Sequence, residues 1–176
     1  MKVFDYIQQG GPVMYILVLL NIVGLSLLVW KVIEILGASK NPQELATLVQ
    51  ANLDENFSKL SDQMVIVEVA KEEISSRIQK LESGLSTIKI IATISPLLGL
   101  LGTVIGILLS FRVISQQGLS NNSLFAEGIS IALITTVGGL IVSIPHTVGY
   151  HYLISLLDKL EGQLEKITLR KYLGNS

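Results

Sequence analysis

Three long apolar runs, separated by polar stretches, set the pattern of the chain. Val13 to Trp30 carries no charged residue, and its apolar character continues to Leu36. Ile90 to Phe111 is the second run, and Gly128 to Leu157, without Asp, Glu, Lys or Arg, is the third. A membrane-spanning helix needs about 20 mostly apolar residues, so each run predicts one span. The segments expected are 1–12, a span at 13–36, a helical segment at 37–87, a span at 88–112, a loop at 113–126, a span at 127–157 and a tail at 158–176. The fold class is therefore an all-α membrane protein: three transmembrane helices with a long amphipathic cytoplasmic helical extension.

Between the first two spans the spacing changes. Gly37 is placed to end the first helix, and Asn41-Pro42-Gln43-Glu44 to start the next. Asn41 suits the N-cap, Pro42 the first helical position and Glu44 the third. From there to the second span no proline occurs and Gly84 is the only glycine. Val67, Ala70, Ile74, Ile78, Leu81, Leu85 and Ile88 recur every three or four residues, predicting one amphipathic helix that runs on into the membrane. Its charged face (Lys71, Glu72, Glu73, Arg77, Lys80) reads as solvated. Its apolar stripe needs a cover, either Leu45, Leu48, Leu53, Phe57 and Leu60 of the same chain or a neighbouring subunit.

Charge sharpens the picture. Only 15% of the 176 residues are charged, against roughly 25% in a soluble domain. A net charge of −1 gives no case for a nucleic-acid partner, and the absence of cysteine removes disulfides, thiolate nucleophiles and cysteine zinc sites. The first span reads as a retained anchor rather than a signal peptide, because its uncharged core is long and Lys31 and Glu34 precede the only small cluster, Gly37-Ala38-Ser39. Of 13 Lys and Arg residues, only Lys2 and Arg112 lie on the side of the N-terminus and second loop. The basic-residue rule then puts residues 37–87 and the tail in the cytoplasm.

The stretch GLLGTVIG, residues 99–106, is the oddity. Glycine costs about 1 kcal/mol relative to alanine inside a helix, yet Gly99, Gly102 and Gly106 all fall within the second span. Ser95, Gly99, Gly102 or Thr103, Gly106 and Ser110 share one stripe; Gly128, Ala132, Thr135, Gly139 and Ser143 form another on the third span. Small residues let helices approach closely in lipid, so Ser95, Gly99, Gly102, Gly106 and Gly139 are the candidate helix-packing positions. Thr103, Thr135 and Thr136 either bond the carbonyl four residues back or line a hydrated seam.

The segments ISPLLGLLGTVIGILLSF and EGISIALITTVGGLIVSIP are similar to the paired pore helices of the MotA/TolQ/ExbB proton channel family, over about seventy residues from Ile88 to Leu157. The three-span layout resembles ExbB and TolQ more than the four-span MotA. The resemblance implies a bacterial inner-membrane protein with a periplasmic N-terminus and loop and a cytoplasmic C-terminus. It also implies a pentamer around an ExbD- or TolR-like single-span partner whose aspartate takes the proton, and through it a TonB- or TolA-like protein. The function implied is a stator subunit that uses the proton motive force for periplasmic or outer-membrane processes such as TonB-dependent transport. Thr103 and Thr136 match the family's second- and third-span threonines.

One position departs from that family. ExbB and TolQ usually carry a glutamate where this chain has Ile131. The nearest acid is Glu127, one turn earlier and about 6 Å along the helix. It either takes over at the outer mouth, joining Thr103, Thr135 and Thr136 in the proton pathway, or complements the helix dipole. His146 and His151, about 140° apart around a helix, read as local packing and not as a metal pair. Pro145 is expected to kink the third span or end its regular bonding, and Arg112 to snorkel to the interface near Glu127. No nucleotide loop, catalytic constellation, metal site or cofactor motif is present, so the chain reads as a non-enzyme. A non-conducting structural scaffold is the alternative.

Overall fold

The computed structural model describes residues 3–57, 63–117 and 122–173. Every regular element among them is an α-helix: α1 (Val3–Gln9), α2 (Gly11–Lys40), α3 (Pro42–Phe57), α4 (Gln63–Glu82), α5 (Leu85–Gln117) and α6 (Asn122–Leu173). Three of them, α2, α5 and α6, are long and apolar enough to cross a membrane, and the protein is an all-α membrane protein. The 52 residues of α6 far exceed the roughly 20 that one crossing needs. The tail expected at 158–176 is therefore regular helix as far as Leu173. The short α1, within the expected N-terminal segment 1–12, has no counterpart in the sequence pattern.

Each break has a local cause. Gly11, at φ 63°, lies in the left-handed region that favours glycine, and Pro12 follows it in the first turn of α2, where its missing N–H costs nothing. Pro42 disfavours helical backbone at the residue before it, so α2 stops at Lys40 and α3 begins beyond Asn41. The Glu44 amide donates to the Asn41 carbonyl at 3.1 Å, and Asn41 Nδ2 lies 3.5 Å from Glu44 Oε2. Gly37 does not end α2. It sits inside the helix with open space where a Cβ would project, and the stop is supplied three residues later by the proline.

The amphipathic stripe does not run unbroken into the second span: Gly84 adopts φ 91° and divides it into α4 and α5. An L-residue with a side chain rarely holds that backbone.

The chain forms two compact units. The first comprises residues 1–28 and 87–150. Its core is Val13, Met14 and Leu17 of α2, Ile91 of α5 and Val142 of α6, with Ile7, Leu20, Leu98 and Ile134 packed around them. Met14 wedges between two glycines: a Cβ on Gly10 or on Gly138 would lie 2.8 Å from Met14 atoms.

The second unit comprises residues 29–86 and 151–176. Here α3 packs on α4. Ala46, Val49 and Leu53 are buried on one helix and Ala70, Ile74 and Ile78 on the other. The apolar stripe is thus covered within the chain. Leu48, expected in that cover, is half exposed; the side chain of Phe57 and the whole of Leu60 lie outside the described set. On α6, Leu153, Leu157, Leu160 and Leu164 are buried at spacings of three and four, a second amphipathic stripe. On the charged face of α4, Arg77 Nε donates to Glu73 Oε1 at 2.9 Å, with Lys71, Glu72 and Lys80 exposed.

Lys31 belongs to this unit and is not a free interfacial cation. It is 3% exposed, pairs with Glu34 at 2.7 Å and donates to the Leu81 carbonyl at 3.2 Å. Leu81 lies in the last turn of α4, where carbonyls have no partner within the helix. Lys31 thus caps α4, beside the Gly84 break.

Candidate functional site at the seam of α5 and α6

Within the first unit the two small-residue stripes meet face to face and antiparallel. A Cβ on Gly106 would lie 2.5 Å from the Gly128 carbonyl oxygen and 2.8 Å from the Ala132 nitrogen. One on Gly102 would overlap the Thr135 side chain, and one on Gly99 would lie 2.9 Å from the Thr135 carbonyl oxygen. From the other side, a Cβ on Gly139 would lie 2.6 Å from the Ser95 carbonyl oxygen. Backbone approaches backbone here, which any side chain would prevent. Ser95 is buried and donates to its own Ile91 carbonyl at 2.6 Å.

The two stripes pack on each other inside one chain, because the antiparallel arrangement of α5 and α6 sets Gly99 against Gly139, Gly106 against Gly128 and Gly102 against Thr135.

Two hydroxyls close the ends of this seam by reaching across it. Ser110 donates to the Phe125 carbonyl at 3.1 Å, sharing with Gly106 of its own helix at the same distance. Ser143 donates to the Ala92 carbonyl at 2.6 Å. That second bond has a specific cause. Pro96 lies within α5 and has no N–H, so the carbonyl four residues back, Ala92, loses its helical partner. In an apolar medium an unpaired carbonyl is costly, and neighbouring helices supply donors. Ser143 does so here. Pro145 likewise neither ends α6 nor stops it short of Leu173.

The threonines separate into two kinds. Thr135 is fully buried, and its hydroxyl donates to its own helix, 3.0 Å from both the Ile131 and Ala132 carbonyls. It faces Gly102 in the packed seam. Thr103 and Thr136 are half-buried at the edge of the seam, and their hydroxyls are hydrogen-bonded to each other. Thr103 Oγ1 also lies 3.1 Å from the Ala132 carbonyl and 3.3 Å from the Gly99 carbonyl. Thr136 Oγ1 lies 3.4 Å from the Gly99 carbonyl.

Each hydroxyl has one hydrogen to give and two lone pairs. The pair therefore has two settings: Thr136 to Thr103 to Ala132, or Thr103 to Thr136 to Gly99. Rotation of two O–H bonds exchanges them without moving a heavy atom.

Glu127 stands apart from that pair. It is exposed, and along continuous α6 it lies nine residues from Thr136, about 13 Å by rise and roughly half a turn around. Ile131 is half-buried. Among the described residues no ion pair joins Arg112 to Glu127, both of which are exposed. The same residues hold no cluster of His, Asp and Glu that could bind a metal ion. The sequence reading placed Ser143 on the packing stripe but missed its bond to Ala92; Pro96, four residues on, was the available signal. His146, expected to pack locally, is completely buried.

A profile of the MotA/TolQ/ExbB proton channel family matches residues 40–166. Biopolymer transport protein ExbB of Aquifex aeolicus is 42% identical over 76 residues, 43% of this chain and 51% of that protein. Biopolymer transport protein exbB1 of Vibrio cholerae is 38% identical over 84 residues, 47% of this chain and 37% of that one. Tol-Pal system protein TolQ of Haemophilus influenzae is 30% identical over 119 residues, 68% of this chain and 51% of its own length. The chain thus aligns with about half or less of the length of these relatives.

Proposed function

Because the chain belongs to the MotA/TolQ/ExbB proton channel family, we propose that it is a proton-channel (stator) subunit of an inner-membrane motor of the ExbB–ExbD or TolQ–TolR kind. The motor would draw on the proton motive force to energise periplasmic or outer-membrane processes such as TonB-dependent transport. In this reading the subunit forms a homo-oligomer, five-fold by resemblance. Its N-terminus is periplasmic, its C-terminus cytoplasmic, and it encloses a single-span partner that carries an intramembrane aspartate.

The observation that carries the reading is the Thr103–Thr136 hydroxyl pair. It is held at the half-buried edge of a glycine-packed seam, where it can face a neighbouring helix. With Ile131 in place of a carboxylate, the partner's acid binds the proton; the hydroxyl pair accepts it on one oxygen and releases the hydrogen of the other to water, which reverses the pair's donor direction. No covalent chemistry is involved. The driving force is about 2.3 kcal/mol per charge for each 100 mV of potential.

The test uses the full chain reconstituted with such a single-span partner in proteoliposomes. Thr103→Val and Thr136→Val keep side-chain shape and remove the hydroxyls. One charge-assisted hydrogen bond is worth about 1.5–3 kcal/mol, so proton flux is expected to fall on the order of tenfold or more, with the assembled complex unchanged. Full flux in both variants overturns the reading. A non-conducting scaffold is the second reading, and Ile131 is the observation in its favour: a scaffold needs no acid at that depth. Failure of any single-span protein with an intramembrane acid to co-purify would support it.

A further inference from the structure

Among the described residues, His146 is the one ionisable side chain with no surface exposed. Its Nδ1 lies 2.6 Å from the Val142 carbonyl oxygen. A carbonyl only accepts, so Nδ1 carries the hydrogen and donates it. The neutral ring then presents a bare lone pair at Nε2, and Nε2 is buried with no hydrogen-bond partner. Buried polar atoms in this position call for an explanation.

The wall opposite Nε2 is Gly24 of α2, where a Cβ would overlap the imidazole. Ile91 of α5 closes the space, its Cδ1 3.1 Å from that same Cβ position. One turn along α6, Gly149 receives Leu28 of α2 in the same way, with a Cβ there 3.1 Å from Leu28 Cγ. The contact between α2 and α6 thus closes over His146 through two glycine positions, one on each helix.

No charge faces the ring from either helix. The α2 stretch from Val13 to Trp30 contains no acid, base or histidine, and its Tyr15 is exposed. On α5 the nearest charge is Lys89, whose Nζ lies 5.6 Å from the centroid of the Tyr150 ring. On α6 the nearest titratable groups are Tyr150 itself and His151, which is exposed.

We propose that Nε2 of His146 is a proton-binding site whose occupancy opens the contact between α2 and α6. With the site empty, the neutral ring fits an apolar enclosure. Adding a proton creates a second N–H donor and a full positive charge, neither with a partner. A buried unpaired charge is strongly disfavoured, so the protonated ring requires α2 to withdraw far enough for water to reach Nε2. The sign follows: the closed contact belongs to the neutral ring, and acidification that adds the proton loosens it. Gly24, Ile91 and His146 all belong to the first unit, and none of them touches the threonine pair's hydrogen bonds.

The experiment uses the full chain, labelled with ¹⁵N-histidine, in lipid nanodiscs. His151→Gln assigns the two rings. At pH 8 the His146 ring is expected to show a protonated Nδ1 and an unprotonated Nε2 without a hydrogen bond. On acidification it takes a proton, and amide exchange of α2 around Gly24 rises several-fold after correction for the intrinsic effect of pH. His146→Leu fills the enclosure with a group that cannot titrate and should abolish the rise; His151→Gln should keep it. Gly24→Ala, which displaces the ring, should raise exchange already at pH 8. The proposal is overturned if the His146 ring stays neutral to pH 5. It is equally overturned if the ring protonates without a change in α2 exchange, or if His146→Leu shows the same acid-induced rise as the native chain.

Discussion

Thr103 and Thr136 are two hydroxyls of the same kind as Thr135, yet only they are half-buried at the seam's edge. Thr135 spends its hydrogen on its own helix and faces Gly102, so Thr135→Val is expected to leave proton flux near the native level while Thr103→Val does not. Proteoliposome flux measured side by side checks this, and equal losses refute the distinction. Glu127 is exposed and about 13 Å along the helix from Thr136. Its proposed part is confined to the outer mouth, where an exposed charge is worth up to about 1 kcal/mol. Glu127→Gln should lower energy transduction by no more than about fivefold, and Ile131→Glu should restore part of that loss without changing assembly. A fully active Glu127→Gln variant makes Glu127 a helix-end residue only. Lys31 makes a residue-scale case of its own: Lys31→Met leaves Glu34 and the Leu81 carbonyl without their cation. A lost hydrogen bond of this kind costs about 1–3 kcal/mol, to be read as a lower thermal midpoint in detergent.

At the scale of elements, α5 and α6 depend on a proline and a serine on different helices. Pro96 frees the Ala92 carbonyl and Ser143 occupies it at 2.6 Å. Ser143→Ala should therefore destabilise the helix pair by about 1–3 kcal/mol. Pro96→Ala, which returns an N–H to α5, should make the same serine substitution nearly silent. A double-mutant cycle measures the coupling, and strict additivity excludes the link. Gly106→Leu addresses the seam itself. With backbone 2.5 Å from the Cβ position, its first expected effect is loss of α5–α6 packing within the chain, seen as raised amide exchange on both helices. Loss of oligomer with intrachain packing intact would instead return the stripe to a contact between subunits.

For the whole molecule, thirteen basic residues distributed eleven to two argue an orientation that the proposed function requires. The chain has no cysteine, so single cysteines at exposed Ser75 and Ser115 report without background. They should label from opposite faces of the membrane, and labelling from one face sinks the three-span topology. The proposed oligomer rests on family membership; native mass spectrometry in mild detergent should find five copies.

The sequence by itself determined whatever depends on run length, residue type or spacing along one helix. Three uninterrupted apolar runs require three helices in lipid, because no other local structure satisfies the backbone there. Pro42 imposed the end of α2 on the residue before it, and the small residues at every third or fourth position marked a face made for close approach. Tertiary structure alone decided what each face meets. The stripe on α4 is covered by α3, and the glycines of α5 receive those of α6. Thr136 reaches Thr103 while its neighbour Thr135 is sealed, because 100° of helical rotation separates adjacent side chains. Gly84 shows the boundary most plainly. As a residue type it allows a left-handed turn without requiring one, and the turn forms where the end of α4 is held by Lys31, fifty residues away in the chain. His146 straddles the same boundary: its place in an apolar run pointed to packing, and the approach of Gly24 from another helix decided what encloses it.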